Sequence, residues 1–404
     1  PAGAGHLAAG MSEKRSLRPE SLAVHAGKRG DPSAGGPLVD PIFETAPFSF
    51  ADPAALARAA EGRPPDAFYS REGNPTAASV EKKLAALEGS EDAVLFGSGI
   101  AAISTAFLAH LVAGDHVVAT EDLYGGTLRL FKDVLEPIGV RATLVPTEPR
   151  PALEEAIRKE TRWLYVESPT NPLVKIVDLA FVAGLARRRN LTAVIDGTFA
   201  SPILQRPLDL GFHLVLHSAT KYLNGHADVT AGFAAGSREM LEPIRARRVR
   251  TGAILDPLAA FLLNRGMKTL ALRVERQSEN ARRLAEALSA HPGIERVHYP
   301  GLPSHAGHEA ARRQMKAFGA MLAFDLTGGL EAARTFLSRL RLIALATSLG
   351  SVETTADMPW LTSHRHVAPE KKRALGIQDG TIRLSVGAEA FEDLREDLET
   401  ALSR

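Results

Sequence analysis

Between residues 92 and 216 a single arrangement recurs. A short apolar run ends in a polar turn, with helically spaced stretches between runs. The runs are 92–96 (DAVLF), 116–120 (HVVAT), 163–166 (WLYV), 192–195 (TAVI) and 214–216 (LVL). Runs this short and apolar predict buried strands, while 77–87, 99–111, 153–159 and 179–189 carry helical spacing. Strands alternating with helices predict a mostly parallel sheet covered on both faces. Ligands of such sheets sit at the carboxyl ends of the strands. Gly99, Tyr124, Asn171, Asp196 and Lys221 each follow one of the runs, so reactive side chains are expected to converge there. After 257–265 the pattern changes. A long amphipathic helix over 270–289, strands at 321–326 and 381–386, and helices at 330–340 and 391–402 predict a smaller α/β unit. The expected division is therefore an arm at 11–65, a large domain at 66–262 and a C-terminal domain at 263–404.

The chain of 404 residues carries a net charge of +1, with nothing to suggest a nucleic-acid partner. The densest basic run, 245–250 (RARRVR), reads as a solvated helix face or a subunit contact. There is no cysteine, which excludes disulfides, thiolate metal sites and a cysteine nucleophile. No apolar run approaches the ~20 residues of a membrane span, and no secretory signal is apparent, so a cytoplasmic protein is expected. Residues 1–10 (PAGAGHLAAG) precede Met11 and read as an expression remnant. His213 and His217 have the i, i+4 spacing of a metal pair, but no carboxylate follows at ligand spacing, and no metal is expected. Segment 38–50 (LVDPIFETAPFSF) is broken by Pro41 and Pro47 and reads as an extended arm lying on another surface, plausibly a second subunit.

Lys221 lies just past the last of these runs, flanked by the hydroxyls of Ser218 and Thr220. Partial burial there favours the neutral amine, which can form a Schiff base with a carbonyl. Gly97-Ser98-Gly99 joins a strand to a helix, the arrangement that offers backbone N–H groups to a phosphate. The same run, GSGIAA at 97–102 with Glu121 and Asp122 about twenty residues on, also loosely fits a dinucleotide fingerprint, so a nicotinamide-dependent oxidoreductase stands as an alternative. Tyr124 can stack on a flat ring and hold a proton. Arg71, in a turn-rich loop, suits a phosphate, and Arg383, flanked by apolar residues, needs an anionic partner.

Four stretches resemble one family. SATKYLNGH at 218–226, FYSREGNPT at 68–76, YGGT at 124–127 and RLSVG at 383–387 are similar to the motifs of the Cys/Met-metabolism enzymes that use pyridoxal phosphate (PLP). The resemblance implies the fold of type I PLP-dependent transferases, like aspartate aminotransferase, with a seven-stranded sheet in the large domain. It implies Lys221 as the cofactor lysine and proton carrier, and Tyr124 as the ring-stacking residue that protonates the leaving group. Gly99 and Ile100 would hold the phosphate through backbone amides. Asn171, Asp196, Ser218 and Thr220 would hold the cofactor too, Asp196 at the pyridine nitrogen. Tyr69 and Arg71 would reach the neighbouring subunit's phosphate, making a homotetramer of two catalytic dimers. Arg383, with Ser348, would clamp the α-carboxylate of an amino-acid substrate.

Within that family, cystathionine-handling members tend to carry an acid just before the YSR tyrosine and a Glu just before the SLG serine. Those positions hold Phe68 and Thr347 here. The resemblance therefore implies methionine γ-elimination, supported by HADVTAG at 226–232. Against it, Gly126 stands where methionine γ-lyases usually have Cys, and MPWLTSH at 358–364 departs from HPAxMTH, so Trp360 and Arg365 are expected to reshape the entrance. Gly197 replaces the usual Asn after Asp196. Cystathionine γ-lyase and a γ-replacement enzyme using an O-acyl homoserine remain same-family alternatives.

Overall fold

The computed structural model describes residues 17–28, 36–61, 68–148 and 150–403. The reading of residues 1–10 falls outside them.

Among the described residues the five apolar runs, with two further strands, β3 and β7, form one seven-stranded sheet: β1 (Asp92–Phe96), β2 (His116–Thr120), β3 (Arg141–Val145), β4 (Thr161–Glu167), β5 (Thr192–Asp196), β6 (Leu214–His217) and β7 (Gly232–Gly236). Their order is β1-β7-β6-β5-β4-β2-β3. β7 runs antiparallel to both its neighbours, and the other pairs are parallel. Both faces are buried. Phe96, Phe107, Trp163 and Tyr165 pack on one, and Val118, Leu164, Val166 and Val215 on the other. Near-continuous apolar strands follow from that two-sided burial.

A second sheet holds β8 (Ile294–His298), β9 (Met321–Leu326), β10 (Ala344–Leu345), β11 (Thr355–Asp357) and β12 (Thr381–Ser385), in the order β10-β11-β12-β9-β8. Helices Leu270–Ser289, Gly329–Arg339 and Phe391–Leu402 cover it, with Leu284, Phe324, Leu384 and Leu398 in its core.

Near the start, helix Pro19–His25 packs on helix Pro75–Glu88, where the buried Lys83 Nζ donates to the Ala23 carbonyl at 2.8 Å and Ser79 Oγ to the Gly27 carbonyl at 2.8 Å. Two expectations are corrected. The basic run is not a solvated face. Arg245 bonds to Glu81 at 3.0 Å and Asp92 at 2.9 Å, and Arg248 to Glu81 at 2.8 Å, so two arginines turn inward around a buried carboxylate. Those charges, with Leu95 N donating to Glu81 at 2.9 Å, fasten β1 to the helices behind it. The helix expected over 153–159 is Pro151–Glu155, because the chain turns at Arg158, whose carbonyl accepts from Thr161 N at 3.0 Å, to enter β4.

Candidate active site

The site is built along the carboxyl edge of the large sheet. Ser98 caps helix Gly99–His110 through a bond from Ala101 N to its hydroxyl at 3.1 Å. The amides of Gly99 and Ile100 lie in the first turn, which has no carbonyl one turn earlier to accept them. Glycine is needed here by proximity: a Cβ on Gly99 would stand 2.7 Å from Ser218 Cβ, and one on Gly232 2.2 Å from the Ser98 carbonyl oxygen. Ser218 therefore rests on the helix start. Its own amide donates to Thr198 Oγ1 at 2.8 Å, and the Thr198 amide to Asp196 Oδ1 at 3.0 Å. Gly197 leaves room for the His217 ring, 3.0 Å from where a Cβ would sit.

Lys221 Nζ donates to Ser348 Oγ at 2.5 Å, across from the β6 end to the small sheet's unit. Burial, and then the nearby Arg383 charge, bring the amine down to about 8. Ser348 is a non-glycine residue at φ +80°, a left-handed conformation that side chains rarely adopt and that costs of order 1–3 kcal/mol. Its environment holds it there: the Ser348 carbonyl accepts from Arg383 Nη2 at 3.1 Å. Arg383, in β12 and only 5% exposed, also donates to Asp357 Oδ2 at 2.6 Å and Asn171 Oδ1 at 2.8 Å. Burial raises the Asp357 carboxyl despite that arginine.

Glu167 and Asp196 are the last residues of adjacent strands and are register partners. Both are buried, and burial raises both carboxyls, Glu167 the more strongly with Asp196 beside it. Two neighbouring buried carboxyls cannot both carry charge cheaply. Glu167 also accepts the Tyr124 amide at 2.8 Å. Tyr124 itself is half exposed, and its ring leans over Gly126: a Cβ there would lie 2.4 Å from Tyr124 Cε1.

Contacts thus link Gly99, Ser218, Asp196, Glu167, Tyr124, Asn171, Arg383, Ser348 and Lys221 into one continuous patch. Other expected residues lie differently. Thr220 Oγ1 donates to the Ala231 carbonyl at 3.2 Å and accepts the Ala231 amide at 2.9 Å, so this hydroxyl braces the loop. Ile100 is exposed at the helix start. Tyr69 and Arg71 lie on an exposed turn, with the Arg71 guanidinium 5.4 Å from the Tyr69 ring centre and Tyr69 bridging to Pro47. Phe68 packs on Phe50 with ring centres 5.9 Å apart, and Thr347 is exposed next to Ser348. Trp360 is half-buried and packs with Leu173, Leu375 and Ile377, with Lys372 Nζ 4.5 Å from its ring centre. Arg365 is exposed and donates to His366 at 2.9 Å. His217 Nε2 lies 2.8 Å from Glu88 Oε1 in a geometry that makes no hydrogen bond, while His213 Nδ1 accepts the Ala193 amide, so the two histidines serve different neighbours.

Three residues at the site escaped the sequence reading: Glu167, Thr198 and Asp357. Glu167 had one visible signal, as the acid that ends a run beside the run ending at Asp196.

The donor set suits PLP. A helix start with unpaired amides suits a phosphate, a buried acid at the neighbouring strand end suits a pyridine nitrogen, and a lysine with a lowered pKa suits the aldehyde. It suits a dinucleotide poorly, because Asp122 is already bonded to Lys175 at 2.7 Å and Thr147 at 2.7 Å, and Glu121 is paired with Lys371. The sequence pattern of the family described as Cys/Met metabolism PLP-dependent enzyme matches residues 20–403. The chain belongs to that family. Its cofactor is PLP. An L-methionine gamma-lyase from Fusobacterium nucleatum subsp. polymorphum is 44% identical over 387 residues, covering 95% of this chain and 98% of the relative. A cystathionine beta-lyase from Coxiella burnetii is 43% identical, covering 95% and 97%. The crystal structure of cystathionine gamma-lyase from Lactobacillus plantarum complexed with L-serine is similar at a TM-score of 0.89 and 41% identity, covering 95% and 98%. This family member is thus of the PLP-dependent lyase type of sulfur amino-acid metabolism, with a type I fold. Among the described residues no helix is long and apolar enough to cross a membrane.

Proposed function

We propose that the chain catalyses γ-elimination of L-methionine or a similar γ-thioether amino acid, giving with water 2-oxobutyrate, ammonia and a thiol. The observation that carries this reading is the uncharged pair at the distal positions. Phe68 is stacked on Phe50, and Thr347 stands beside Ser348, so neither supplies a carboxylate for cystathionine's second ammonium. A buried ammonium without a counter-charge is disfavoured by several kcal/mol.

When bound, PLP supplies an aldehyde that captures amines and a ring that accepts electrons. Asp196 keeps a proton on the ring nitrogen. Gly99 and Ile100 amides, with Ser218, take the phosphate, and Tyr69 and Arg71 complete that site in a neighbouring copy. Arg383 receives the substrate carboxylate, oriented by Asn171 and Ser348. Lys221, its amine lowered to about 8, would remove the Cα proton, pass it to the cofactor and, neutral again, take one from Cβ. Tyr124 donates a proton to the departing sulfur as the Cγ–S bond breaks. Ser348, 2.5 Å from Nζ, steers the amine between these positions.

The pocket reading has a direct test. Phe68→Asp with Thr347→Glu should move kcat/KM from methionine toward cystathionine by one to two powers of ten, if each new pair contributes on the order of 1 kcal/mol. The shift should shrink in high salt. Wild-type protein that already prefers cystathionine refutes the pocket argument. One observation favours that second reading, a cystathionine lyase: Gly126 is filled by the Tyr124 ring and admits no cysteine without moving it.

The assembly we propose is a homotetramer of two catalytic dimers, with site residues crossing between subunits. The exposed Tyr69, Leu38 and Val39 fit such a contact. Mixing inactive Lys221→Ala with inactive Arg71→Ala should restore part of the activity, since a mixed dimer assembles one intact site. No rescue despite proven subunit exchange would place each site within one chain.

A further inference from the structure

Glu167 is drawn into none of the steps above, yet it is among the most enclosed acids at the site. It ends β4 at 4% exposure. Its carboxyl accepts the amide of Tyr124 at 2.8 Å. Tyr124 lies in the loop leaving β2, whereas Glu167 ends β4, where the loop carrying Asn171 begins. Asn171 Oδ1 accepts from Arg383 at 2.8 Å. We propose that Glu167 is a positioning residue, a buried staple that fixes the Tyr124 loop to the end of β4 and so sets the tyrosine ring against the Asn171–Arg383 pair.

The inference rests on the reading of Tyr124 and Arg383 as substrate-facing residues, but the staple itself is a matter of geometry. Tyr124 is 49% exposed and its ring touches Gly126, so little apolar packing holds it in place. A loop held by few contacts needs a specific bond to keep one orientation, and its backbone amide has one. The acids facing Glu167 are Asp196, its register partner, and Asp122. Neither gains from a second charge beside it. With Asp196 ionised against a pyridine nitrogen, burial and that charge hold Glu167 neutral, and the staple is a carboxyl that accepts through one oxygen.

That state makes glutamine a close substitute. Glu167→Gln keeps the size, the neutral charge and an accepting oxygen. Glu167→Ala removes the acceptor and leaves the Tyr124 amide facing a void. Three readouts apply to the holoenzyme. In wild type, hydrogen exchange at the Tyr124 amide should be slow despite the residue's exposure; exchange at the rate of a free loop amide overturns the proposal without any mutant. Glu167→Gln should keep kcat, KM and cofactor affinity within about threefold of wild type. Glu167→Ala should speed Tyr124 amide exchange and lower kcat about ten- to hundred-fold, the range expected for leaving one such amide unsatisfied, and Gln but not Ala at 167 should keep the wild-type pH profile. If Gln is as damaged as Ala, the group acts as a charge and the staple is wrong. If exchange responds as described while a Tyr124→Phe variant keeps full activity, the staple stands and the assignment of Tyr124 fails instead.

Discussion

Replacing Lys221 with alanine should lower kcat by more than about a thousandfold, because one side chain both captures the cofactor and carries the Cα proton. The wild-type protein should show visible absorbance from its cofactor, and borohydride should fix that cofactor covalently at Lys221, as peptide mapping would reveal. A colourless protein that binds a nicotinamide dinucleotide instead would return the glycine turn at 97–99 to the oxidoreductase reading. The lowered lysine adds a pH signature. Only the neutral amine attacks an aldehyde, and burial places its titration at about 8 instead of the ordinary 10.5. Capture of PLP by cofactor-free protein should therefore quicken as pH rises through about 8 and level off above it. A rate still climbing steeply toward pH 10 would mean that the amine is solvated and its burial irrelevant.

The amine reaches this state through tertiary structure. Lys221 is enclosed because Gly350, at φ +80°, lies against the Tyr222 amide, only 2.7 Å from where a Cβ would be, and because Ser348 beside it is forced into a left-handed conformation. Both belong to the loop before β11, more than a hundred residues away in sequence. Periodicity sees the strand before Lys221 but not the loop that closes over it.

The same contrast runs through the fold. Helices Leu270–Ser289 and Phe391–Leu402 were readable to the residue, since a long amphipathic stripe fixes its own bounds. Strand β3, RATLV at the sheet edge, was not, because most of its residues are exposed and no apolar run marks it. Strand β7, GFAAG, hid for another reason: its glycines and alanines are small because Gly232 passes against Ser98 and Gly236 against His213, so it reads as a loop. At the site, strand-end residues were legible because the topology of a parallel sheet delivers them to one edge. Residues whose role depends on partners, such as Asp357 under Arg383 or Arg248 around Glu81, were legible only as isolated charges. An ion pair leaves no local pattern when its members are 26 or 167 residues apart.

That limit bears directly on Arg383, which the structure shows in an ion pair and which we propose as the carboxylate clamp. Asp357 is already paired with it at 2.6 Å. Three of its donor contacts are in use, to Asp357, Asn171 and the Ser348 carbonyl, out of five N–H groups on a guanidinium. Two remain for a substrate carboxylate, and the raised Asp357 carboxyl yields its charge more readily than a solvated one. Arg383→Ala alone would strand a buried acid and confuse stability with binding. Removing both partners avoids this, because a neutral pair lost together leaves no uncompensated charge. The Arg383→Ala, Asp357→Asn double variant should therefore fold, retain the cofactor's absorbance and lose kcat/KM roughly ten- to hundred-fold relative to Asp357→Asn, mostly through KM. The range corresponds to losing one charge-assisted bond of about 1.5–3 kcal/mol to the substrate carboxylate. An amino-acid amide, which lacks the carboxylate, should be processed equally poorly by both variants. Equal kcat/KM for the acid substrate in the double and single variants would make Arg383 a strut that holds Ser348 and Asn171, and substrate recognition would have to be sought elsewhere on the sheet edge.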